Sequence, residues 1–218
     1  MSGKLITIEG TDCSGKSTQL ALLCERLTHE GVDFKKIAFP RYDSESSALV
    51  RMYLGGDFGE NVSAVNPYAA SSFFAVDRVA SYLREWKEYL EGGGCVLLDR
   101  YTTSNAIYQA SKLPEKERES FCDWLFNFEY KLLNLPEPSA VIFLDMPPEA
   151  AEKLMSKREG GEDIHEKDKA YLATCYDSAC SLSERYGWMR ISCTDGGRIK
   201  TIEEVHNEIF DKINEILE

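Results

Sequence analysis

Residues 5–17 read Leu5-Ile6-Thr7-Ile8-Glu9-Gly10-Thr11-Asp12-Cys13-Ser14-Gly15-Lys16-Ser17. From Gly10 to Ser17 the chain matches the pattern G-x-x-x-x-G-K-[ST] at every fixed position. The loop follows a short apolar run and precedes a segment in which Leu20, Leu23 and Leu27 recur at helical spacing. A strand, a glycine-rich loop and a helix in this order predict a phosphate-binding loop, or P-loop.

The residues of this loop are of the types that hold a nucleoside triphosphate. Glycines let backbone N–H groups turn toward the phosphates, and the N-terminus of the following helix adds a favourable dipole. We expect Lys16 to neutralise the β- and γ-phosphate oxygens and the Ser17 hydroxyl to ligate Mg²⁺, the predicted cofactor. The predicted ATP-binding residues of the loop are Gly10, Thr11, Asp12, Cys13, Ser14, Gly15, Lys16, Ser17 and Thr18.

The loop predicts a bound purine nucleoside triphosphate but not the reaction that follows. The Asn-Lys-x-Asp element with which switch-type GTPases read the base does not occur in the sequence. The chain is also too short for a ring-forming ATPase and has no arginine-rich neighbourhood around the loop. Small-molecule kinases are therefore the favoured class.

Five short aliphatic or β-branched runs alternate with helical patterns, at residues 5–9, 34–39, 95–99, 140–145 and, more weakly, 188–193. Strands separated by helices join through right-handed crossovers and form a parallel sheet that helices cover on both faces. We therefore predict an α/β fold, a P-loop NTPase-type three-layer α/β/α sandwich with a five-stranded parallel sheet. No linker of domain-separating composition occurs, which predicts one domain over residues 1–218.

One segment resembles neither a strand nor a helix interior. Residues 157–169 are polar and charged, with Gly160-Gly161 in the middle. Such a segment is typical of a mobile lid over a site. A plain surface turn between two helices explains the same composition, so both interpretations stay open.

Composition narrows the choice of partners and location. The 218 residues are 43% hydrophobic and 28% charged, and the apolar runs are too short to cross a bilayer, so no membrane is expected. The first residues lack the pattern of a secretory signal, which makes the cytoplasm the expected location. A net charge of −12 disfavours nucleic acid as a partner. The seven cysteines include no Cys-x-x-Cys pair, which argues against a disulfide framework or a zinc site.

Charged residues follow two of the predicted strands. Asp99 and Arg100 end the third strand, and in an open parallel sheet such ends face the ligand crevice. Asp99 is expected to order a magnesium-bound water and Arg100 to hold phosphate, unless the two only cap the strand. Arg41 ends the second strand in the same way and could grip an acceptor phosphate, although a lone arginine there is usually a solvated surface residue.

A long helix is predicted to begin at Asn66-Pro67 and to reach about residue 90, before three consecutive glycines. Its apolar stripe is predicted to contain Phe73, Val76, Ala80 and Leu83. Phe74 and Arg78 lie one turn apart on a different face. An aromatic plate and an arginine could stack on a base and donate to its carbonyl oxygen, but a second packing face is the simpler explanation of the periodicity.

Taken together, these residues resemble the thymidylate kinase family over essentially the whole chain. The resemblance rests on the order and spacing of several motifs. They are the P-loop with Asp12, Phe39-Pro40-Arg41, Phe74-Ala75-Val76-Asp77-Arg78, Asp99-Arg100-Tyr101, Ser104-Asn105-Ala106-Ile107-Tyr108-Gln109 and Leu144-Asp145-Met146-Pro147.

The resemblance implies a site for a second nucleotide, dTMP. Phe74 would stack on thymine and Arg78 would donate to its O4 atom, with Ser104 and Asn105 at the other edge of the base. Tyr108 would exclude a 2′-hydroxyl, and Gln109 would close that side of the site. Asp12 would contact the 3′-hydroxyl, and Arg41 and Arg100 would clamp the phosphate. The substrate-binding residues implied are Asp12, Arg41, Phe74, Arg78, Arg100, Ser104, Asn105, Tyr108 and Gln109. Family members are generally homodimers, so a homodimer is expected.

The sequence departs from the family pattern at Cys13, where some members carry a transition-state arginine. The lid would then supply this charge, from Lys157 or, as we expect, Arg158, which would also contact ATP. The residues expected to act in catalysis are Lys16, Asp12, Arg100 and Arg158, with Ser17 and Asp99 at the metal. The adenine pocket is placed near Arg158 and residues 194–198.

The resemblance implies phosphoryl transfer from ATP to dTMP, which gives dTDP and ADP. Two alternatives remain open at this stage. One is a kinase for another nucleoside monophosphate or for a deoxynucleoside. The other, suggested by Cys13, is a weakly active or non-catalytic nucleotide-binding paralogue.

Overall fold

The computed structural model describes residues 3–155 and 168–217. A five-stranded sheet forms its centre, in the spatial order β2-β3-β1-β4-β5, and all neighbouring strands are parallel. The strands are β1 Lys4–Gly10, β2 Phe34–Ala38, β3 Cys95–Asp99, β4 Ala140–Asp145 and β5 Met189–Ser192. The predicted sheet is confirmed, and its strand bounds agree with the prediction to within one residue at each end.

Helices connect the strands. The α-helices are α1 Lys16–His29, α2 Ala48–Gly55, α3 Pro67–Ser81, α4 Lys87–Glu91, α5 Thr102–Tyr108, α6 Glu115–Phe126, α7 Pro148–Met155, α8 Lys169–Arg185 and α9 Ile202–Leu217. Two π-helical segments extend helices, Tyr82–Trp86 after α3 and Asn127–Leu132 after α6. Among the described residues, no helix is long and apolar enough to span a membrane.

Alternating side chains of the sheet enter hydrophobic cores on both of its faces. Ile6 and Ile8 of β1 pack in the core that α1 and α9 cover, whereas Leu5 belongs to the core on the opposite face. In β4, Ile142 likewise packs in the core under α1 and α9, whereas Phe143 packs in a core on the opposite face. Helices on both faces therefore bury the sheet, which confirms the predicted α/β/α sandwich.

The long helix after Asn66 begins as predicted, because the Asn66 side chain accepts a hydrogen bond from the Ala69 N–H at 2.9 Å. The predicted apolar stripe is wrong. Val76 and Leu83 are 55% and 60% exposed, while Ala75 is fully buried. Small and polar residues form the buried face here, and apolar periodicity does not detect such a face.

The C-terminal region differs in two places from the sequence-based expectation. Residues Thr194–Asp195 (β6) and Arg198–Ile199 (β7) form an unpredicted antiparallel hairpin. Most of the predicted lid, residues 157–169, lies outside the described residues. Its last residue, Lys169, is the first residue of α8, and the side chain of Asp168 accepts a hydrogen bond from the Tyr171 N–H.

Candidate active site

A cavity of about 720 Å³ opens at the carboxyl ends of β1, β2 and β3. The P-loop forms one wall, and α3 and α5 contribute the other. The predicted site residues that line it are Thr11, Asp12, Cys13, Ser14, Gly15, Lys16, Ser17, Thr18, Phe74, Arg78, Asp99, Arg100, Ser104, Asn105, Tyr108 and Gln109. The structure therefore brings most predicted donor and acceptor residues into one cavity.

The P-loop presents the start of α1 to this cavity. Gly15 precedes the helix in the left-handed region at φ 81°, where a residue with a Cβ is strained. No described side chain caps this helix end, so its first N–H groups can receive an anion. Cys13 also has a positive φ, 59°, and is half-buried in the loop.

Lys16 lies in the wall with 8% of its surface exposed, and its ammonium forms a salt bridge with Asp99. Burial lowers the pKa of Lys16 and the positive charge of Arg100 lowers it further, while Asp99 acts in the opposite direction. A buried ammonium next to a second cation is stabilised by any additional negative charge. This environment therefore suits a phosphate group.

The residues predicted at the metal suit Mg²⁺. The Ser17 hydroxyl and the Asp99 carboxylate line the same cavity and are oxygen donors, which Mg²⁺ prefers. Among the described residues, no cluster of three or more His, Cys, Asp or Glu side chains could form a complete metal site. Mg²⁺ bound through one or two protein ligands, with phosphates and water completing its shell, fits this sparse donor set.

Asp12, Arg100 and Tyr108 form one hydrogen-bonded group across the cavity. The Asp12 carboxylate accepts from Arg100 Nη2 through Oδ1 and from the Tyr108 hydroxyl through Oδ2, each at 3.0 Å. Burial raises the pKa of Tyr108 well above its usual value, so the hydroxyl remains a donor. Arg100 has a φ of 66°, and its guanidinium lies 5.2 Å from the centre of the Tyr108 ring.

Phe74, Arg78 and Asn105 line the part of the cavity on the α3 and α5 side. The Phe74 ring meets the edge of Tyr53 at a centroid distance of 6.1 Å. Arg78 Nη1 approaches Asn105 Oδ1 at 3.4 Å, and Asn105 Nδ2 is buried without a hydrogen-bond partner in the described part of the chain. Gln109 Oε1 is also buried without a hydrogen-bond partner among the described residues. Such atoms fit a polar ligand that supplies the missing hydrogen bonds.

Three predicted residues lie differently from the expectation. Arg41 does not belong to the cavity wall that the described residues form; its Nη2 pairs with Glu85 Oε2 at 2.9 Å. Its neighbour Tyr42 lines the cavity instead. Ser104 lines the wall, but its hydroxyl donates to the Glu9 carboxylate at 2.7 Å and is therefore not directed at a base. Gly10 is likewise outside the wall.

Two buried carboxylates that contact site residues were missed at the level of sequence. Glu9 is fully buried and holds Ser104, and Glu129 is fully buried and pairs with Arg78. A glutamate in an apolar strand just before the P-loop was the available signal for Glu9. Nothing in the local pattern around Glu129 indicates its partner, which is 51 positions away.

The remaining predictions concern the donor side. Lys157 and Arg158 lie outside the described residues. Residues 194–198 belong to the β6–β7 hairpin and do not line the described cavity. Within the hairpin, Arg198 pairs with Glu204 at the start of α9.

Comparison with known proteins agrees with this geometry. A family model described as thymidylate kinase matches residues 8–209. A Mycobacterium tuberculosis protein named thymidylate kinase is 32% identical over 84% of this chain and 82% of its own length. Proteins of the same name from Plasmodium falciparum and an Exiguobacterium species are each 28% identical, over 98% and 97% of this chain and 91% and 94% of their own lengths. The chain belongs to the thymidylate kinase family.

Proposed function

We propose that this protein transfers the γ-phosphate of ATP to dTMP and so forms dTDP and ADP. One observation carries the proposal: an aromatic plate, an arginine and a buried amide, Phe74, Arg78 and Asn105, line the same cavity as the P-loop. The names of the relatives, each called thymidylate kinase, support the same acceptor.

In this proposal the P-loop holds the phosphates of ATP. Backbone N–H groups at the start of α1 and the Lys16 ammonium bind the β- and γ-phosphates, and Lys16 exchanges its Asp99 partner for phosphate oxygens. Ser17 and Asp99 would hold Mg²⁺, directly or through water, and the ion supplies neutralisation of phosphate charge. Asp99 is released for this task when Lys16 turns to ATP.

The acceptor lies against the opposite wall. Phe74 stacks on thymine, Arg78 donates to the O4 atom, and Asn105 meets the neighbouring edge of the base. Asp12 contacts the 3′-hydroxyl, while Tyr108 lies beside the sugar, with Gln109 behind it. The hydrogen bonds from Arg100 and Tyr108 to Asp12 hold these groups in place before the substrate binds.

The transfer is an in-line displacement. An oxygen of the dTMP phosphate forms a bond to the γ-phosphorus as the bond to the bridging β,γ-oxygen breaks, and ADP leaves. Lys16 and Arg100 neutralise the spreading negative charge, and Arg158 would contribute a further positive charge from the lid. Arg100 is the principal phosphate clamp, because Arg41 must first leave Glu85 to reach the acceptor.

We also propose that the chain acts as a single cytoplasmic domain that forms a homodimer. Val76 on α3 and Leu83 in the following π-helical segment are more than half exposed, and Leu49 and Met52 on the neighbouring α2 are also exposed. Exposed apolar groups of this kind mark interaction surfaces. Light scattering should give twice the chain mass of 24.7 kDa, and Val76→Asp should shift the mass toward one chain.

Release of ADP from ATP tests the acceptor. The assay compares dTMP, dUMP, CMP and thymidine at equal concentrations. We expect the highest kcat/KM for dTMP and no turnover of thymidine, which lacks the phosphate that Arg100 holds. Preference for CMP or thymidine, or ATP binding without transfer to any acceptor, would refute the proposal.

A further inference from the structure

Glu129 is a charged residue in the protein interior that the reaction scheme above does not use. It lies in the π-helical segment Asn127–Leu132, and its side chain is completely buried. It is not among the described residues that line the cavity. Any effect of Glu129 on a bound nucleotide must therefore act through a neighbour.

That neighbour is Arg78. Arg78 Nε donates to Glu129 Oε2 at 2.7 Å, and Nη2 donates to Oε1 at 2.5 Å. Two parallel hydrogen bonds between a guanidinium and a carboxylate fix the plane of the guanidinium as well as its position. The hydroxyl of Thr102, the first residue of α5, also donates to Oε2 at 2.7 Å and holds the carboxylate itself.

The third nitrogen of Arg78 is held far less tightly. Nη1 lies 3.4 Å from Asn105 Oδ1 and 3.5 Å from the Tyr101 carbonyl oxygen, both at the limit of a hydrogen bond. Arg78 is thus clamped on one side, while Asn105, the neighbour on its loosely held side, lines the cavity. This asymmetry leaves Nη1 available to donate to a ligand.

We propose that Glu129 is a positioning residue that sets the base preference of the acceptor site by fixing the Arg78 guanidinium. The inference rests on the proposed function, in which Arg78 meets the O4 edge of the base. A guanidinium can only donate hydrogen bonds, so it suits a pyrimidine with a 4-oxo group and is mismatched with a 4-amino group. A guanidinium that is free to turn loses this discrimination.

The test compares dUMP with dCMP, which differ only in the substituent at position 4 of the base and in the proton on the neighbouring N3. Glu129→Gln keeps the size of the side chain but places an amide NH₂ against the guanidinium donors. We expect the ratio of kcat/KM for dUMP to that for dCMP to fall at least roughly tenfold, which corresponds to about 1.4 kcal/mol. The KM for ATP should remain within about twofold of the wild-type value, because Glu129 acts through Arg78, which lies on α3 and not in the P-loop.

Two further variants keep the result interpretable. Glu129→Asp retains the negative charge that Arg78 needs, but its side chain is one methylene too short to reach both nitrogens. The ratio of kcat/KM for dUMP to that for dCMP should therefore decrease in this variant too, which keeps the test available if Glu129→Gln is unable to fold. Glu119 lies on the adjoining α6 and forms an exposed ion pair with Arg185, the last residue of α8. Glu119→Gln removes the charge of this pair and should leave the ratio unchanged. Folded Glu129 variants with the wild-type ratio would overturn this inference alone, whereas a wild-type enzyme inactive toward every pyrimidine monophosphate would overturn the proposed function as well.

Discussion

At the scale of single residues, Glu9 determines how α5 faces the cavity. Its carboxylate accepts hydrogen bonds from the Tyr101 N–H at 3.2 Å, the Thr103 hydroxyl at 2.6 Å and the Ser104 hydroxyl at 2.7 Å. Burial raises the pKa of Glu9, although Arg100 and these hydroxyls act in the opposite direction. The carboxylate thus binds the first turn of α5 to β1, and the next residue, Asn105, lies in the cavity wall.

The contribution of Phe74 to acceptor binding can be measured by truncation. Phe74→Ala should raise the KM for dTMP roughly 10- to 100-fold, because stacking of a base on an aromatic ring is worth about 1–3 kcal/mol. The KM for ATP should change little. Steady-state kinetics with each substrate varied in turn measures both values.

Phe73 provides the matched control for this variant. It precedes Phe74 on the same helix but packs against Phe58, at a centroid distance of 5.7 Å, and does not line the described cavity. Phe73→Ala should alter stability without a comparable rise in the KM for dTMP. Equal effects of the two variants on that KM would contradict a stacking role for Phe74.

Lys112 gives a prediction for the dependence of stability on pH. Its ammonium donates to the Tyr53 hydroxyl at 2.6 Å and to the Val65 carbonyl at 3.3 Å, and burial lowers its pKa to about 8. In an unfolded chain the pKa of lysine is about 10.4. Between these two pH values the unfolded chain binds more protons than the folded one. The buried charge therefore lowers the free energy of unfolding by its full amount below about pH 8, and by less as the pH rises.

The variant Lys112→Met lacks this titration. The free energy of unfolding of the wild type minus that of the variant should be constant below about pH 7. It should then rise between about pH 8 and pH 10, by at most about 1.4 kcal/mol per pH unit. Urea unfolding across this range supplies both curves, and curves that stay parallel throughout would contradict the buried charge.

Some residue roles could be read from the sequence and others could not. The positions of Lys16 and Asp99 in the cavity wall were predictable, because a motif or the end of a strand fixes where each side chain lies. The contact between the Ser104 hydroxyl and Glu9 was not predictable, because adjacent positions on a fully buried helix cannot be distinguished without knowing that Glu9 lies beneath one of them. The position of the Arg41 side chain depends on the path of the chain after β2, and the sequence pattern does not specify that path.

At the scale of elements, α9 shows sequence and structure in agreement. Thr201 and Glu204 form a capping box, which their spacing of three residues before an apolar repeat favours: the Glu204 N–H donates to Thr201 Oγ1 at 3.1 Å, and the Thr201 N–H donates to Glu204 Oε2 at 2.6 Å. Val205, Ile209 and Ile213 are buried against the core under α1, while Ile202 is exposed. The cap fixes the start of the helix, and the apolar repeat fixes its orientation.

Removal of the cap should weaken α9 measurably. Thr201→Ala should lower the free energy of unfolding by about 1 kcal/mol, since an orphaned helix N–H loses its partner. Thr28→Ala is the control, because the exposed Thr28 hydroxyl donates to the Cys24 carbonyl one turn earlier in α1 and caps no helix N-terminus among the described residues. Chemical denaturation compares the two, and equal losses would argue against a capping contribution from Thr201.

The helix after Asn66 was harder to interpret. Its buried face contains Ala70, Ser71, Ala75 and the charged Asp77 and Arg78. Asp77 accepts hydrogen bonds from the Arg41 N–H at 2.8 Å and from the Ser46 hydroxyl at 2.6 Å, so its buried carboxylate is satisfied inside the protein. An apolar pattern cannot reveal a face that is buried through hydrogen bonds, which explains the wrong stripe.

At the scale of the whole molecule, the order of the strands assembles the site. β1 lies between β3 and β4, so the P-loop after β1 and the Asp99-Arg100 pair after β3 emerge side by side. This arrangement was predictable, because alternating strands and helices lead to parallel neighbours with their carboxyl ends on one edge. The contacts between distant helices that complete the acceptor wall depend on packing, and no local pattern encodes them.

Transfer of a labelled phosphate tests the central claim most directly. The protein is incubated with ATP carrying a labelled γ-phosphate, Mg²⁺ and dTMP, and the nucleotides are separated by chromatography. The account predicts label in dTDP for the wild type and a loss of at least roughly a thousandfold in the rate for Lys16→Ala, whose ammonium neutralises the transferred group. Label that never enters dTDP, or equal transfer by both proteins, would contradict it.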